Sequence, residues 1–278
     1  MHQVALGVHR VQADRAANLA AIADLAHEAS GRGASLVVFA ETALTGFVAT
    51  GEPAHDLPLG EPVPGPATAA LAKVARTRRL WIGLGLYERE GSRLYDAAVL
   101  LSPSGGLALH YRRIDPHWHW PRNDPAVYRQ GDAIPVAETP FGRCAFLLCG
   151  DLFNDTVLAK LAATPTELLL VPFARGFDSE VADAADWERC EQLRYAARMR
   201  LAGIPALLVN SFGPQASGRE CFGGAMVVDS QGALLDRLPL GQSGLLMVAL
   251  EGPEHDLSLR RHGDEAKRLA RGHRDTGN

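Results

Sequence analysis

Lysine is almost missing from this chain, whose 278 residues hold only Lys73, Lys160 and Lys267. Net charge is −4 and the arginines are scattered, so no basic stripe exists to follow a phosphate backbone or an anionic membrane face. No apolar run approaches the roughly 18 residues that a membrane-spanning helix needs. Cysteine is sparse too. Cys144, Cys149, Cys190 and Cys221 are too few in a chain of this length for a disulfide framework and read as free thiols of a reducing compartment. Met1-His2-Gln3-Val4 runs straight into a strand-like pattern, without a charged leader or an apolar core of signal-peptide length. The expectation is a cytoplasmic protein that acts on a small molecule, with neither nucleic acid nor membrane among its partners.

What is present is a large apolar fraction, 47%, enough to bury one big core. We expect a single domain over 1–278, with about 262–278 forming a tail or a dimer-contacting segment. Val4, Leu6 and Val8 alternate as in a half-buried strand; Asp14 then caps a helix carrying Leu19, Ile22 and Leu25, which Gly31-Arg32-Gly33 ends. A strand Leu36–Ala40 runs into Glu41. A Gly/Pro-rich loop from about Gly51 to Gly65 and a helix Ala67 to Arg78 follow, the loop being expected to border the pocket. Leu80 to Arg113 reads as a meander broken at Glu90-Gly91-Ser92 and Pro103-Ser104-Gly105-Gly106. Alternation then returns: a Cys144–Cys149 strand, a helix near Thr156 to Ala163, a strand Leu168 to Phe173, a long helix Ala184 to Ala202, and strands Ala206 to Asn210 and Cys221 to Val228. Such an order implies two sheets packed face to face with helices outside.

Three chemical groups stand at strand ends. Cys149 closes the run Cys144–Leu148 and precedes Gly150-Asp151, a thiol delivered where a strand gives way to a turn. Glu41 follows Phe39-Ala40 and precedes Thr45-Gly46-Phe47, and Arg113 ends Tyr111-Arg112-Arg113. A thiol becomes a nucleophile when a carboxylate takes its proton and a cation favours the thiolate. Taken alone, each residue also has an ordinary reading: a small buried hydrophobe for Cys149, a solvated loop acid for Glu41, a surface basic pair for Arg112 and Arg113.

Together the three resemble the Glu-Lys-Cys triad of the nitrilase superfamily of carbon–nitrogen hydrolases, with Arg113 in the lysine slot and Ala40 where the family's "PExxxxGY" segment has proline. The resemblance covers nearly the whole chain. Gly223 to Gly232 is similar to the late "GxSxIxxPxG" segment, and Val209-Asn210-Ser211 to the strand after the long helix. It implies an α/β fold, a four-layer α-β-β-α sandwich, and a homodimer formed through the outer helices. It implies a catalytic role for Glu41, Arg113 and Cys149, and a second acid at Asp124, since Asp124 to Gly131 resembles the segment where an additional glutamate precedes an aromatic and a "PG" turn. Asp124-Pro125 is also simply a turn signal.

The expected activity is hydrolysis of a small amide, carbamoyl amide or nitrile through a Cys149 thioester, with no metal or organic cofactor required. The Gly150 N–H and the Arg113 guanidinium are the candidate oxyanion donors. In Pro116-His117-Trp118-His119-Trp120 the His-x-His spacing invites a zinc reading, but no further ligand lies at suitable spacing, and Trp118 and Trp120 are better read as an aromatic wall of the pocket. Phe173 would supply an apolar floor and Arg175 an anion-binding cation, or else a solvated loop charge. Two alternatives stay open: a nitrilase-fold binding or regulatory protein impaired in turnover, and acyl transfer to an amine. The pocket loops 51–65, 114–130 and 174–186 carry no readable substrate code.

Overall fold

The computed structural model describes residues 2–116, 118, 123–176, 185 and 192–250. Two six-stranded sheets form its centre. In the first, β1 (His2–Val8), β2 (Leu36–Phe39) and β3 (Trp81–Glu90) run parallel, β3 turns back through β4 (Arg93–Leu101) and β5 (Leu107–Arg112), and a late strand, Gly244–Leu250, pairs antiparallel with β1. The second sheet places β7 (Gly142–Phe146), β8 (Leu168–Phe173) and β9 (Ala206–Asn210) parallel at its centre, with β6 (Ala137–Thr139) on one edge. A further pair, Ala225–Val228 and Leu234–Leu238, closes the other edge.

The period of two along each strand explains the layering. Val4, Leu6 and Val8 of β1, with Leu36 and Val38 of β2, turn inward to meet Phe146, Leu170 and Leu208 of the second sheet. The alternate residues Ala5, Val37 and Phe39 face outward onto Ile22, Ala26 and Leu71 of two helices, α1 (Arg15–Gly31) and α3 (Pro66–Arg78). Each fully buried aliphatic side chain contributes about 1.5–3 kcal/mol. On the far side α4 (Asp155–Ala162) and α5 (Gln192–Ala202) lay Val157, Leu161, Tyr195 and Met199 onto the same core, so the order is α-β-β-α. Helix starts follow their caps: Asp14 accepts from Ala16 N–H at 2.8 Å, and Asn154 from Thr156 N–H at 2.9 Å.

Several expectations are refined. The Gly51–Gly65 loop contains a short helix, α2 (Pro53–Asp56), and a 3-10 turn, Leu57–Leu59. The expected strand from Cys221 to Val228 is two strands, broken at Gly223 and Gly224, whose positive φ values of 70° and 87° no continuous strand can hold. The Ala184–Ala202 helix is described over Gln192–Ala202. Cys190, His117, His119, Trp120 and the segment 262–278 lie outside the described residues. No described helix is long and apolar enough to cross a membrane.

Candidate active site

Neither the acid nor the thiol sits on a strand; both lie two or three residues past one, where the backbone turns sharply. β2 ends at Phe39 and β7 at Phe146. Thr42, next to Glu41, has φ +48°, and Cys149 itself has φ +44° at the start of a 3-10 turn, Cys149–Phe153. A non-glycine residue holds this left-handed conformation only when its surroundings over-determine it. They do so here. The Glu41 turn is tied to β3 by Gly85 N–H to Ala40 C=O and Ala43 N–H to Gly85 C=O, both 3.0 Å. The Cys149 turn is held by Asp151, whose carboxylate accepts from Leu148 N–H at 3.2 Å, Tyr111 O–H at 2.5 Å and Asp115 N–H at 2.7 Å.

Arg113 enters from the end of β5. Its N–H bonds Asp96 C=O at 2.8 Å, and its carbonyl accepts Gly131 N–H at 2.8 Å. The guanidinium is 3% exposed and donates from Nη1 to Glu41 Oε1 at 2.9 Å. The same nitrogen donates to Oδ2 of Asp96, on β4, at 3.1 Å. Glu41 Oε2, Asp96 Oδ1 and Arg113 Nε are buried with no partner among the described residues. Burial pushes the Glu41 carboxyl well above its usual range, and the negative neighbours Asp96 and Cys149 push it further, against the pull of Arg113. Burial opposes the charge of Arg113, but Glu41, Cys149, Asp96 and Asp151 surround it and hold it protonated. Cys149 is half-buried, whereas Cys144 and Cys221 are fully buried, their thiols pushed up by burial to about 11 and about 12.

Arg113, Cys149 and Gly150 line one cavity of about 670 Å³, together with Phe47, Asp115, Phe153 and Arg175. Of the residues expected from sequence, Arg113, Cys149, Gly150 and Arg175 line this one cavity, and Glu41 is bonded to Arg113. Other expected residues fall elsewhere. Asp124 is exposed and its Oδ1 accepts from Ala126 N–H at 2.8 Å, so it caps a turn, as an Asp-Pro pair does on its own, and does not line the cavity. The buried second acid is Asp96. Trp118 packs on Tyr87 and Tyr128, at 6.0 and 5.5 Å between ring centroids, and is not part of the cavity wall. Phe173 is core, stacked on Tyr195 at 4.7 Å. The loop 51–65 also turns away: Asp56, fully buried, binds Thr50 N–H, Gly51 N–H and Tyr128 O–H.

Among the described residues the aromatic side chains lining the cavity are Phe47 and Phe153, neither of which the sequence reading assigned. Phe47 did stand in the segment Thr45-Gly46-Phe47 quoted for its resemblance; nothing in the sequence marked Phe153. Among the described residues no three His, Cys, Asp or Glu side chains are grouped as a metal site would need.

The profile of the carbon–nitrogen hydrolase family matches residues 3–253. Human deaminated glutathione amidase is 27% identical over 262 residues, covering 90% of this chain and 76% of that protein. An (R)-stereoselective amidase of a Pseudomonas species is 28% identical, covering 72% of this chain and 67% of its own length. A solved structure of a cysteine-to-alanine mutant of the amidase from Nesterenkonia sp. AN1, in complex with butyramide, superimposes with a TM-score of 0.74 at 26% identity, covering 96% of each chain. With the family profile spanning almost the whole fold, and the thiol and cation lining one cavity with the acid bonded to that cation, the chain belongs to the carbon–nitrogen hydrolases.

Proposed function

We propose that this hydrolase cleaves small amides, with Cys149 as nucleophile, Glu41 as the proton carrier and Arg113 as the fixed cation. The observation that carries the reading is the Glu41–Arg113 contact of 2.9 Å, buried beside a half-exposed Cys149 in a cavity of small-molecule size. Glu41 takes the thiol proton and sulfur bonds to the amide carbon. The charge that develops on oxygen meets the guanidinium and the Gly150 N–H, donors already aimed at it. The C–N bond then breaks as Glu41 returns its proton to the departing nitrogen. Water attacks the thioester, its proton passing to Glu41 and then to the sulfur, which leaves as thiol, and the carboxylic acid is released.

The named amidases among the relatives favour an amide over a nitrile or a carbamoyl amide. Hydrolysis is preferred to acyl transfer because the matching family and the named relatives are hydrolases. Two further features support the wider reading. Leu193 and Leu201, two turns apart on α5, are 69% and 70% exposed and suit a homodimer face, which light scattering would test. A reducing cytoplasm is the compartment in which unpaired Cys149 stays a thiol. The test of function is mass spectrometry with a panel of small amides including butyramide. A transient acyl adduct on Cys149 with release of ammonia is expected; a stable adduct, or none on any amide, would sink the hydrolase assignment of these residues.

A further inference from the structure

A permanent cation beside a proton carrier creates a difficulty. Arginine does not give up its proton, so Arg113 pulls Glu41 toward the ionised form, a weaker base toward a thiol, against the burial that raises it. Asp96 lies on the other side of that cation. Its carbonyl accepts the Arg113 N–H at 2.8 Å and its Oδ2 accepts from Nη1 at 3.1 Å, while the same Nη1 reaches Glu41 at 2.9 Å. Two carboxylates, 0% and 1% exposed, therefore share one guanidinium nitrogen, and each retains one oxygen with no partner among the described residues. Both cannot comfortably stay ionised. With one positive charge between them the cluster would keep an unmatched negative charge in a dry interior, and a proton is the simplest way to cancel it.

The structure also indicates where that proton goes. Asp96 is bound to Arg113 through both backbone and side chain; Glu41, on its turn, feels the charge of Cys149. We propose that Asp96 is a positioning residue that supplies the standing counter-charge of Arg113, leaving Glu41 basic enough to take a proton from Cys149 and acidic enough to return it. This rests on the reading of Cys149 and Glu41 given above. The groups around Asp96 are Tyr87, opposite it in the β3–β4 register, Glu41 from the turn after β2 and Arg113 from the end of β5; Cys149 and Asp151, from the turn after β7, act on the same guanidinium. Asp151 is already engaged by Tyr111, Asp115 and Leu148, so Asp96 is the acid left to balance the guanidinium.

The sign of the consequence is fixed. Removing the negative charge of Asp96 lets Arg113 act on Glu41 and the thiol undiluted, which favours their ionised forms at lower pH. In Asp96→Asn, the rise of Cys149 alkylation by iodoacetamide with pH should move down by about one pH unit or more, and the acid limb of kcat/KM on a small amide should move with it. Asp96→Glu, which keeps the charge, should leave the rise near its wild-type position. Thermal melts report folding; should Asp96→Asn not fold, Asp96→Ser leaves room for a water and gives the same readout. In the resting wild type the proton taken from Cys149 sits on Glu41, so difference infrared spectra should show a buried protonated carboxyl at neutral pH that Glu41→Gln removes. An unmoved or upward-moved alkylation rise in a folded variant overturns the proposal, as does the absence of that carboxyl band. Alkylation needs no turnover, so a wild type that alkylates normally yet never hydrolyses an amide would refute the amidase reading and leave this test standing.

Discussion

At the scale of single residues the site is governed by one nitrogen serving two acids. Arg113 Nη1 reaches both Glu41 and Asp96, and the residue also lines the cavity. Replacing Arg113 with alanine removes oxyanion stabilisation and leaves two buried carboxylates without their cation. A loss of about 3 kcal/mol, roughly a hundredfold in kcat/KM, is expected from steady-state kinetics on any accepted amide. Arg113→Lys should retain part of the activity but stay weaker than wild type, because a compact ammonium cannot reproduce the geometry of the planar fork. Adding Asp124→Glu should recover nothing, since Asp124 caps a surface turn and does not touch the cation. Thiol chemistry separates just as sharply. At neutral pH limited alkylation with peptide mapping should label Cys149 well before Cys144 or Cys221, both fully buried and with thiols held far above neutrality. Early labelling of either buried cysteine would remove the basis for the nucleophile assignment.

At the scale of elements, the turns after β2 and β7 do the positioning, and they depend on glycine at one close approach. A Cβ on Gly85 would meet Glu41 Cα at 2.6 Å and Ala40 O at 3.1 Å, all backbone that cannot give way cheaply. Gly85→Ala should therefore push the Glu41 turn off β3, lowering kcat by tenfold or more, since misplacing a catalytic group by about an ångström can cost a hundredfold. Its circular dichroism should stay native; a kcat equal to wild type would show that the turn is not held as described. These same elements explain what could be read from sequence. Glu41, Arg113 and Cys149 were legible because apolar runs followed by polar turn residues announce strand ends, and active groups collect there. Asp96 was not, because it lies inside β4 between Tyr95 and Ala97, and only the β4–β5 register brings it beneath Arg113. Asp124 was mistaken for it for a physical reason: sequence similarity located an acid before an aromatic, but Asp-Pro forms a local turn whatever the surrounding fold. Phe153, at the end of the turn that begins with Cys149, had no periodicity to mark it. The two sheets were legible throughout, since alternation along β1 and β2 decides which residues face the other sheet and which the helices.

At the scale of the whole molecule, stability depends on keeping a buried histidine neutral behind the site. His9, just past β1, is 6% exposed; its Nε2–H donates to Ala43 C=O at 3.0 Å, bracing the turn that carries Glu41. Burial lowers its pKa from 6.5 to about 4, while the bond to Ala43 works weakly in the other direction. In the unfolded chain the ring takes a proton near pH 6.5, and in the folded protein not until about pH 4. The unfolded state therefore binds more protons throughout that window. Stability from this group is fully present above pH 6.5, falls as pH drops through the window, and levels off below pH 4. By pH 5 the loss should be about 2 kcal/mol, and about 3 kcal/mol at its limit. Glu41 acts in the opposite sense: with its carboxyl raised, the folded state is the one that holds the extra proton above the ordinary carboxylate range, so its contribution falls as pH rises. A single profile mixes the two, and a difference between proteins separates them. His9→Gln can keep the donor to Ala43 without a titrating ring. Denaturant midpoints of wild type and variant measured at pH 7 and pH 5 should converge by about 2 kcal/mol on acidification, with every other group cancelling. Parallel profiles would mean that the ring titrates in the folded protein as it does in water, and that the turn carrying Glu41 is open to solvent from behind.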